Sequence, residues 1–235
     1  MNQNRPRLLE PVYETGVNEM LAYHEMDKGP ELTYGQFMYL PFKRLIDFLG
    51  AFIGLFLCLP IFLAVAVLIK LDSPGPVFFK QKRAGRNARA FHVYKFRSMV
   101  SNAEQIKESL SHLNENDGPF FKIKNDPRIT RVGKFIRKYS IDELPQLVNV
   151  FLGHMSLVGP RPALFNEVRQ YSREQLQNLS LTPGLTCYWQ ISGRSDSSGD
   201  RIDLDTKYLY EFNPVIDLII LLKTPLAVLK GRGAC

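Results

Sequence analysis

The sequence predicts an α+β protein that is mainly helical with a small β-hairpin, and monotopic in a membrane through a re-entrant helix broken at Pro60. Three patterns predict this fold class. They are an apolar run too long for an ordinary soluble helix, two short strand patterns around a glycine-containing loop, and helical spacing of apolar residues further along the chain. At 235 residues, the chain has room for one substantial domain with short appendages.

The apolar run covers residues 48–69, which are 22 residues without a charge between Asp47 and Lys70. As a straight helix this run is roughly 33 Å long at about 1.5 Å per residue, which is enough to cross the core of a bilayer. A buried core helix is the alternative interpretation. Because runs this long and this apolar are unusual in soluble domains, a membrane segment is favoured.

Two features favour a helix that enters the membrane and returns over a helix that crosses it. Pro60 removes a backbone hydrogen bond near the middle of the run and is expected to kink or break the helix there. Basic residues flank both ends of the run, and positive charge beside a membrane segment favours the cytoplasmic side. A crossing helix remains the alternative. We predict a polar extension over residues 1–40, a re-entrant helix over residues 41–71 and a cytoplasm-facing domain over residues 72–235.

That domain is predicted to begin with a β-hairpin. Residues 77–83 and 91–97 have strand patterns, and the loop between them contains a glycine. Because successive side chains of a strand point to opposite faces, Lys95 and Arg97 are predicted to share one face of the second strand.

An acidic pair follows at the start of a predicted helix. Apolar residues recur at helical spacing over residues 141–152, and Pro145 is tolerated there only in the first turn. The helix is therefore predicted to begin close to Ser140, which would be its N-cap. Asp142 and Glu143 then lie in the first turn, where free N–H groups and the helix dipole favour anions. Surface carboxylates that only compensate the dipole fit the same pattern, and these residues alone leave both interpretations open.

Three further stretches are predicted to be helical. Residues 102–113 are polar, and residues 131–139 lead to the acidic pair. Residues 215–230 are apolar but interrupted by charges and a proline. They are therefore predicted to form an interfacial helix or a core helix, and not a membrane-spanning helix.

Charge and cysteine content narrow the function classes. A formal net charge of +7 fits an anionic partner, such as phosphate, nucleic acid or a membrane surface. Nucleic acid is not among the predicted partners, because no motif that reads it is present and it does not explain the apolar run. Cys58, Cys187 and Cys235 have no zinc or disulfide spacing, which favours a reducing compartment. Residues 1–39 lack the cationic start and apolar core of a signal peptide.

Four motifs, in this order along the chain, resemble the signature of the bacterial sugar transferases, also called monotopic polyprenyl-phosphate phosphoglycosyltransferases. They are residues 94–99 (YKFRSM), 137–150 (RKYSIDELPQLVNV), 153–162 (GHMSLVGPRP) and 182–194 (TPGLTCYWQISGR). The resemblance runs from about residue 41 to the C-terminus. The chain resembles the compact form of the family, which lacks the extra N-terminal transmembrane domain of larger members.

The resemblance implies an enzyme of the bacterial inner membrane whose catalytic domain faces the cytoplasm. The implied reaction transfers a sugar 1-phosphate from a UDP-sugar to polyprenyl (undecaprenyl) phosphate and releases UMP. It is the initiating step of a surface glycan such as exopolysaccharide, capsule or O-antigen. Asp142 would be the nucleophile that forms a phosphosugar–aspartyl intermediate. Asp142 and Glu143 would hold Mg²⁺, since a carboxylate approaches a pyrophosphate only when charge is neutralised. Whether Glu143 holds the metal or assists the incoming phosphate stays open.

Basic residues of the same motifs are the expected ligands of substrate phosphate. Lys95, Arg137 and Arg194 match basic positions of the family, and Arg97 and Arg161 are expected to contribute. A solvated surface charge is the alternative for each arginine in a chain with this net charge. The predicted partners are the UDP-sugar, polyprenyl phosphate and membrane lipid, with a homodimer left open.

Three rival functions predict different observations. A membrane-bound regulatory protein that uses a basic face would tolerate replacement of Asp142. A soluble nucleic-acid-binding protein would fractionate without detergent. A metal-dependent phosphatase or nucleotide-sugar hydrolase would release sugar phosphate without a lipid acceptor.

Overall fold

The computed structural model of the protein describes residues 30–106, 108–114, 123, 125–192 and 198–230. Predictions that concern residues 1–29, Arg194 and Cys235 therefore lie outside the described residues. Within them, the fold is mainly helical with two small sheets, which confirms the coarse fold class.

The first helix, α1 (Tyr34–Asp72), is 39 residues long and begins earlier than the predicted membrane segment. Its start is fixed by Thr33, whose hydroxyl accepts the backbone N–H of Gln36 while the Gln36 side chain accepts the N–H of Thr33. Pro60 lies inside α1, and helical structure continues on both sides of it, so that the proline does not end the helix. One lost hydrogen bond is tolerated here because the turns before and after Pro60 pack against the domain. Re-entrance into a membrane stays a prediction.

Only a narrow stripe of α1 packs against the rest of the protein. Among the described residues, α1 is the one helix whose length and composition suffice to cross a membrane, and 11% of its most apolar window is buried. The buried residues of α1 are Gln36, Tyr39, Asp47, Ala51, Val65 and Ile69. A core helix of a soluble domain would be mostly buried, whereas α1 exposes most of its apolar surface, a pattern that fits membrane association.

The predicted hairpin is present. Strand β1 (Phe78–Ala84) pairs antiparallel with β2 (Ala90–Phe96), and Phe79 lies opposite Lys95. A single 3₁₀ turn, Arg86–Ala88, lies in the connection. Since β2 ends at Phe96, Arg97 lies beyond the strand.

The remaining chain forms short elements around the hairpin. They are α2 (Arg131–Lys138), α3 (Gln146–Phe151), β3 (Ser156–Val158), α4 (Phe165–Val168), α5 (Arg173–Leu176), β4 (Gly184–Thr186), α6 (Tyr188–Ile191), α7 (Ser198–Glu211) and α8 (Pro214–Lys230), with 3₁₀ turns at Glu108–Leu113, Ile141–Glu143 and Gln177–Ser180. Strands β3 and β4 pair in parallel and form a second sheet that the sequence patterns did not predict.

Two predicted helices differ from the structure. In the region of residues 102–113, the described residues form turns and the 3₁₀ helix Glu108–Leu113. The helix predicted from Ser140 is divided, because a 3₁₀ turn holds the acidic pair and α3 begins only after Pro145. Ser140 makes no side-chain cap, since its backbone adopts a left-handed conformation with φ of 51°.

The packing of α1 and the hairpin positions the acidic turn. Ile141 packs against a buried cluster formed by the second half of α1, β2 and α2. The members of this cluster are Val65, Ile69, Phe96 and Ile136. Asn149 of α3 is fully buried, accepts the backbone N–H of Tyr94 at 3.0 Å and donates to the carbonyl of His92 at 2.7 Å. The end of β2 is thereby held beside the turn that precedes α3.

Candidate active site

Asp142 and Glu143 lie in the 3₁₀ turn Ile141–Glu143, between α2 and α3. The N–H of Ser140 donates to the carbonyl of Arg137 at 3.0 Å, and the carbonyl of Ser140 accepts the N–H of Glu143 at 3.1 Å. A positive φ is uncommon for serine and costs conformational energy, so the fold holds this turn in place from both sides. The pair is therefore presented by a fixed backbone, although not by the first turn of an α-helix.

Asp142 is a buried carboxylate with an unusual pKa. Burial raises the pKa of Asp142 to about 6, and the negative charge of Glu143 also raises it. The cations of Lys95 and Arg137 act in the opposite direction. The carboxylate is consequently ionised at neutral pH yet more basic than an ordinary aspartate, which suits a nucleophile.

Glu143 is paired with the lysine that the sequence singled out. The Lys95 ammonium lies 2.7 Å from a Glu143 carboxylate oxygen, and both side chains remain about one-fifth exposed. Lys95 thus reaches both carboxylates, one by contact and one through its charge. The pair is therefore open to solvent on one side, and both side chains are accessible to a ligand.

A narrow pocket next to the pair contains Arg161. Its lining includes Arg83, Lys95, Glu143, Gln146, Arg161 and Trp189. Burial alone would lower the pKa of Arg161, but nearby carboxylates, Glu143 first, raise it, so the guanidinium stays charged. Its Nε is buried and has no hydrogen-bond partner among the described residues. A buried cation with an unused donor beside the carboxylates is suited to an anionic ligand.

Two other predicted phosphate ligands have different positions. Arg137 lies in the last turn of α2, close enough to Asp142 for its charge to lower the pKa of that carboxyl. Arg97 instead caps the C-terminus of α1, where its guanidinium donates to the carbonyls of Ser73 and Pro74 at 2.7 Å each. Arg97 does not line the pocket. The structure therefore brings Lys95, Arg137 and Arg161 to the acidic pair, and places Arg97 elsewhere.

Sequence reasoning missed several residues around Arg161. Arg83 and Trp189 line the pocket, and Asp205 and Arg201 lie behind it. A signal for Asp205 exists in the sequence. It occurs at helical spacing from apolar residues, since Ile202, Tyr208 and Leu209 are the buried apolar residues of α7. An acid within such a stripe indicates a buried carboxylate with a specific partner.

A larger groove lies away from the acidic pair. Its volume is about 920 Å³, and His92, Tyr94 and His154 are among its lining residues. None of the predicted site residues that the structure describes lines it. Since side chains alternate along β2, His92 and Tyr94 face away from the side that Lys95 occupies.

The acidic pair fits a magnesium ion that is shared with substrate. The described residues contain no group of three or more His, Cys, Asp or Glu side chains that could hold a metal ion. Mg²⁺ needs no such cage, because it commonly binds one or two carboxylates together with substrate phosphates and water. Asp142 and Glu143 supply two adjacent carboxylates of this kind.

Comparison with known proteins identifies the relatives of this chain. Residues 38–231 match the bacterial sugar transferase family. The galactosyl transferase CpsE of Streptococcus agalactiae is 45% identical over 205 residues, which are 86% of this chain and 45% of CpsE. The exopolysaccharide production protein ExoY of Rhizobium meliloti is 41% identical over 82% of this chain and 87% of its own length. An undecaprenyl-phosphate galactose phosphotransferase of Salmonella typhimurium is 41% identical over 82% of this chain and 41% of its own length. The chain thus spans less than half of two of these relatives.

Proposed function

Because the chain belongs to the bacterial sugar transferase family, we propose that it transfers a sugar 1-phosphate from a UDP-sugar to polyprenyl phosphate and releases UMP. The observation that carries this proposal is the buried carboxylate of Asp142 beside the cations of Lys95 and Arg137, with Arg161 in the pocket that the adjacent Glu143 lines. The names of relatives support it, among them the undecaprenyl-phosphate galactose phosphotransferase. The exopolysaccharide production proteins among the relatives favour the first step of a surface glycan as the biological role.

In the first step, an oxygen of Asp142 attacks the phosphorus nearest the sugar. A new P–O bond forms to Asp142, the bond from that phosphorus to the bridging oxygen breaks, and UMP leaves with the electron pair. The site then holds a phosphosugar–aspartyl intermediate. Lys95 and Arg161 stabilise the phosphate oxygens as charge moves onto the leaving group. Covalent catalysis of this type divides one exchange into two easier steps.

In the second step, a phosphate oxygen of polyprenyl phosphate attacks the same phosphorus. The bond to Asp142 breaks and the carboxylate is regenerated, while the sugar phosphate becomes part of a polyprenyl diphosphate sugar. No net proton is gained or lost over the two steps. Mg²⁺ bound by Asp142 and Glu143 would supply positive charge to the pyrophosphate. Glu143, held by Lys95 at 2.7 Å, also orients that lysine toward the reacting phosphate.

We further propose that α1 re-enters the cytoplasmic leaflet of the bacterial inner membrane. Both ends of α1 are bonded to the same domain, since Lys43 forms an ion pair with Asp217 at 2.6 Å and Arg97 donates to the carbonyl of Ser73. A crossing helix would place its ends on opposite faces of the bilayer. Helix α8 adds an exposed apolar row that suits the interface, formed by Val215, Leu218, Ile219, Leu222, Leu226 and Leu229.

UMP release by detergent-purified protein tests the reaction. The assay contains polyprenyl phosphate, Mg²⁺ and a panel of UDP-sugars, with Asp142→Asn in parallel. Asp203→Asn is the matched control, since Asp203 is an exposed carboxylate on α7. Lipid-dependent UMP that is lost in Asp142→Asn and kept in Asp203→Asn supports the transferase. UMP and free sugar phosphate formed without lipid would favour a hydrolase, and full activity of Asp142→Asn would exclude the proposed nucleophile.

A further inference from the structure

The backbone around Arg161 is held by groups from three other elements. Arg161 stands between Pro160 and Pro162, whose rings fix the backbone angle φ and remove two N–H donors. The carbonyl of Pro160 accepts the N–H of Gly184 on β4 at 2.8 Å. Two side chains hold the other polar backbone groups of this segment. Asp205 accepts the N–H of Arg161, and Arg83 donates to the carbonyl of Pro162.

Asp205 holds the N–H of Arg161. The backbone N–H of Arg161 donates to a carboxylate oxygen of Asp205 at 3.2 Å, across 44 positions of the chain. Asp205 is 6% exposed, and its second oxygen is buried without a hydrogen-bond partner among the described residues. Burial raises the pKa of Asp205 to about 7, although its bond to Arg161 and the charges of Arg161 and Arg201 oppose that effect. A carboxylate kept in such a costly place has a specific task or is paired with cations.

Arg83 holds the other side of the segment. One terminal nitrogen of Arg83 donates to the carbonyl of Pro162 at 2.9 Å, while Nε and the other terminal nitrogen donate to the side chain of Gln81. Since all three nitrogens are engaged within the protein, Arg83 is not a free ligand for substrate. Its position is fixed by β1, where Arg83 lies opposite Phe91 of β2.

The side chain of Arg161 is placed by the same surroundings. Its guanidinium lies 5.9 Å from the centre of the Trp189 ring, and the guanidinium of Arg201 lies 4.4 Å from the same ring. The Trp189 ring therefore makes cation–π contacts with two guanidinium groups, and the buried carboxyl of Asp205 lies near both. The charges of Arg161 and Arg201 repel each other, and the ionised form of Asp205 offsets part of that repulsion.

We propose that Asp205 and Arg83 are positioning residues, which hold Arg161 in the pocket beside Glu143 so that it meets a substrate phosphate in a fixed geometry. This inference rests on the proposed function for the identity of the phosphate ligand. Preorganised donors act on phosphate without being reoriented, and a displacement of about 1 Å costs much of the benefit. Neither residue needs to contact the substrate.

A double-mutant cycle on UDP binding tests the proposal without depending on turnover. The full chain in detergent is titrated with UDP by calorimetry as wild type, Asp205→Ala, Arg161→Ala and the double variant. We expect Asp205→Ala to weaken UDP binding about tenfold in the wild type, the usual effect of losing a hydrogen bond that places a charged group. In the Arg161→Ala background the same change should alter binding by less than about twofold, because the two residues act as one unit.

If Asp205 only stabilised the fold, its replacement would weaken UDP binding equally with and without Arg161. Asp217, a buried carboxylate outside the pocket, serves as the control. Asp217→Asn alters an acid that is 5% exposed and contacts Tyr39, Lys43 and Tyr208, away from the pocket. Its effect on UDP binding should be equal in both backgrounds. Asp205→Asn keeps an oxygen that accepts the N–H of Arg161, and should restore binding to within about threefold of wild type. Arg83→Lys, which loses the fork that joins Gln81 to Pro162, should weaken binding only when Arg161 is present.

The outcomes separate this inference from the proposed reaction. Equal effects of Asp205→Ala in the two backgrounds, or no UDP binding by the wild type, would overturn the positioning role. Coupled effects on UDP binding in a protein that releases no UMP would support the positioning role and reject the proposed reaction. Where the wild type is active, the coupled loss should appear in kcat/KM for the UDP-sugar, with the KM for lipid unchanged.

Discussion

Lowering the pH from 7 to 5 at subsaturating Mg²⁺, where the metal-free carboxylate governs the titration, is expected to slow the first chemical step about tenfold. The pKa of Asp142 is raised to about 6 by burial, so that the carboxylate is about nine-tenths ionised at pH 7 and about one-tenth ionised at pH 5. Only the ionised form can attack phosphorus. Because the pKa of Asp142 is raised and not lowered, reactivity is present above pH 6 and is lost as the pH falls through that value.

The assay must isolate the first step, since the phosphate of the acceptor lipid titrates in the same range. The rate of the UMP burst is measured by rapid quench without polyprenyl phosphate, over pH 5 to 8. Lys95→Met is measured in parallel, because Lys95 is the strongest of the groups that lower the pKa of Asp142. Its pH profile should move to higher pH. A burst rate that is constant between pH 5 and 7, or a profile of Lys95→Met that moves to lower pH, would refute the assigned role of burial and charge.

Three further predictions concern the scaffold and the metal. Asp217→Ala removes the buried partner of Lys43 at 2.6 Å and should cost about 3–5 kcal/mol, measured as a lower Tm in detergent; an unchanged Tm would mean that α1 is not held by this pair. Arg97→Ala removes the donors to the carbonyls of Ser73 and Pro74 at the end of α1 and should lower Tm, while the affinity for UDP stays within about twofold of wild type. A loss of UDP binding without a lower Tm would mean that Arg97 is a phosphate ligand. Chelation of Mg²⁺ by EDTA should abolish UMP release and leave Tm nearly unchanged, and Mg²⁺ but not Na⁺ should restore it; activity in EDTA would exclude the metal.

Patterns within a few residues of sequence predicted the β-hairpin and the position of the acidic turn, because both depend on interactions between neighbouring residues. The hairpin follows from strand propensity around a turn, and its pairing is the one that the sequence indicates. The sequence correctly predicted a helical turn at Asp142 and Glu143. It predicted the first turn of an α-helix, whereas the structure has a separate 3₁₀ turn. Pro145 has no N–H to give to the preceding turn, and the left-handed backbone of Ser140, which no spacing rule predicts, closes the 3₁₀ turn through bonds to Arg137 and Glu143.

The site residues that sequence patterns missed depend on long-range contacts. Arg97 was grouped with Lys95 by strand alternation, but its guanidinium bonds to the carbonyls of Ser73 and Pro74 at the end of α1, contacts that strand spacing does not predict. The contact of Asp205 with the backbone of Arg161 spans 44 positions, and no spacing rule connects them. An acid in the apolar stripe of α7 predicts burial, but it does not name the partner. Arg194, another predicted phosphate ligand, lies outside the described residues.

The most direct test of the account is mass spectrometry of the intact protein after incubation with UDP-sugar and Mg²⁺ in the absence of lipid. We expect a gain in mass equal to one sugar phosphate, located on the peptide that contains Asp142. This gain should be absent in Asp142→Asn and should disappear when polyprenyl phosphate is added. A wild type that releases UMP in the presence of lipid but never carries this adduct, together with an active Asp142→Asn variant, would contradict the covalent mechanism.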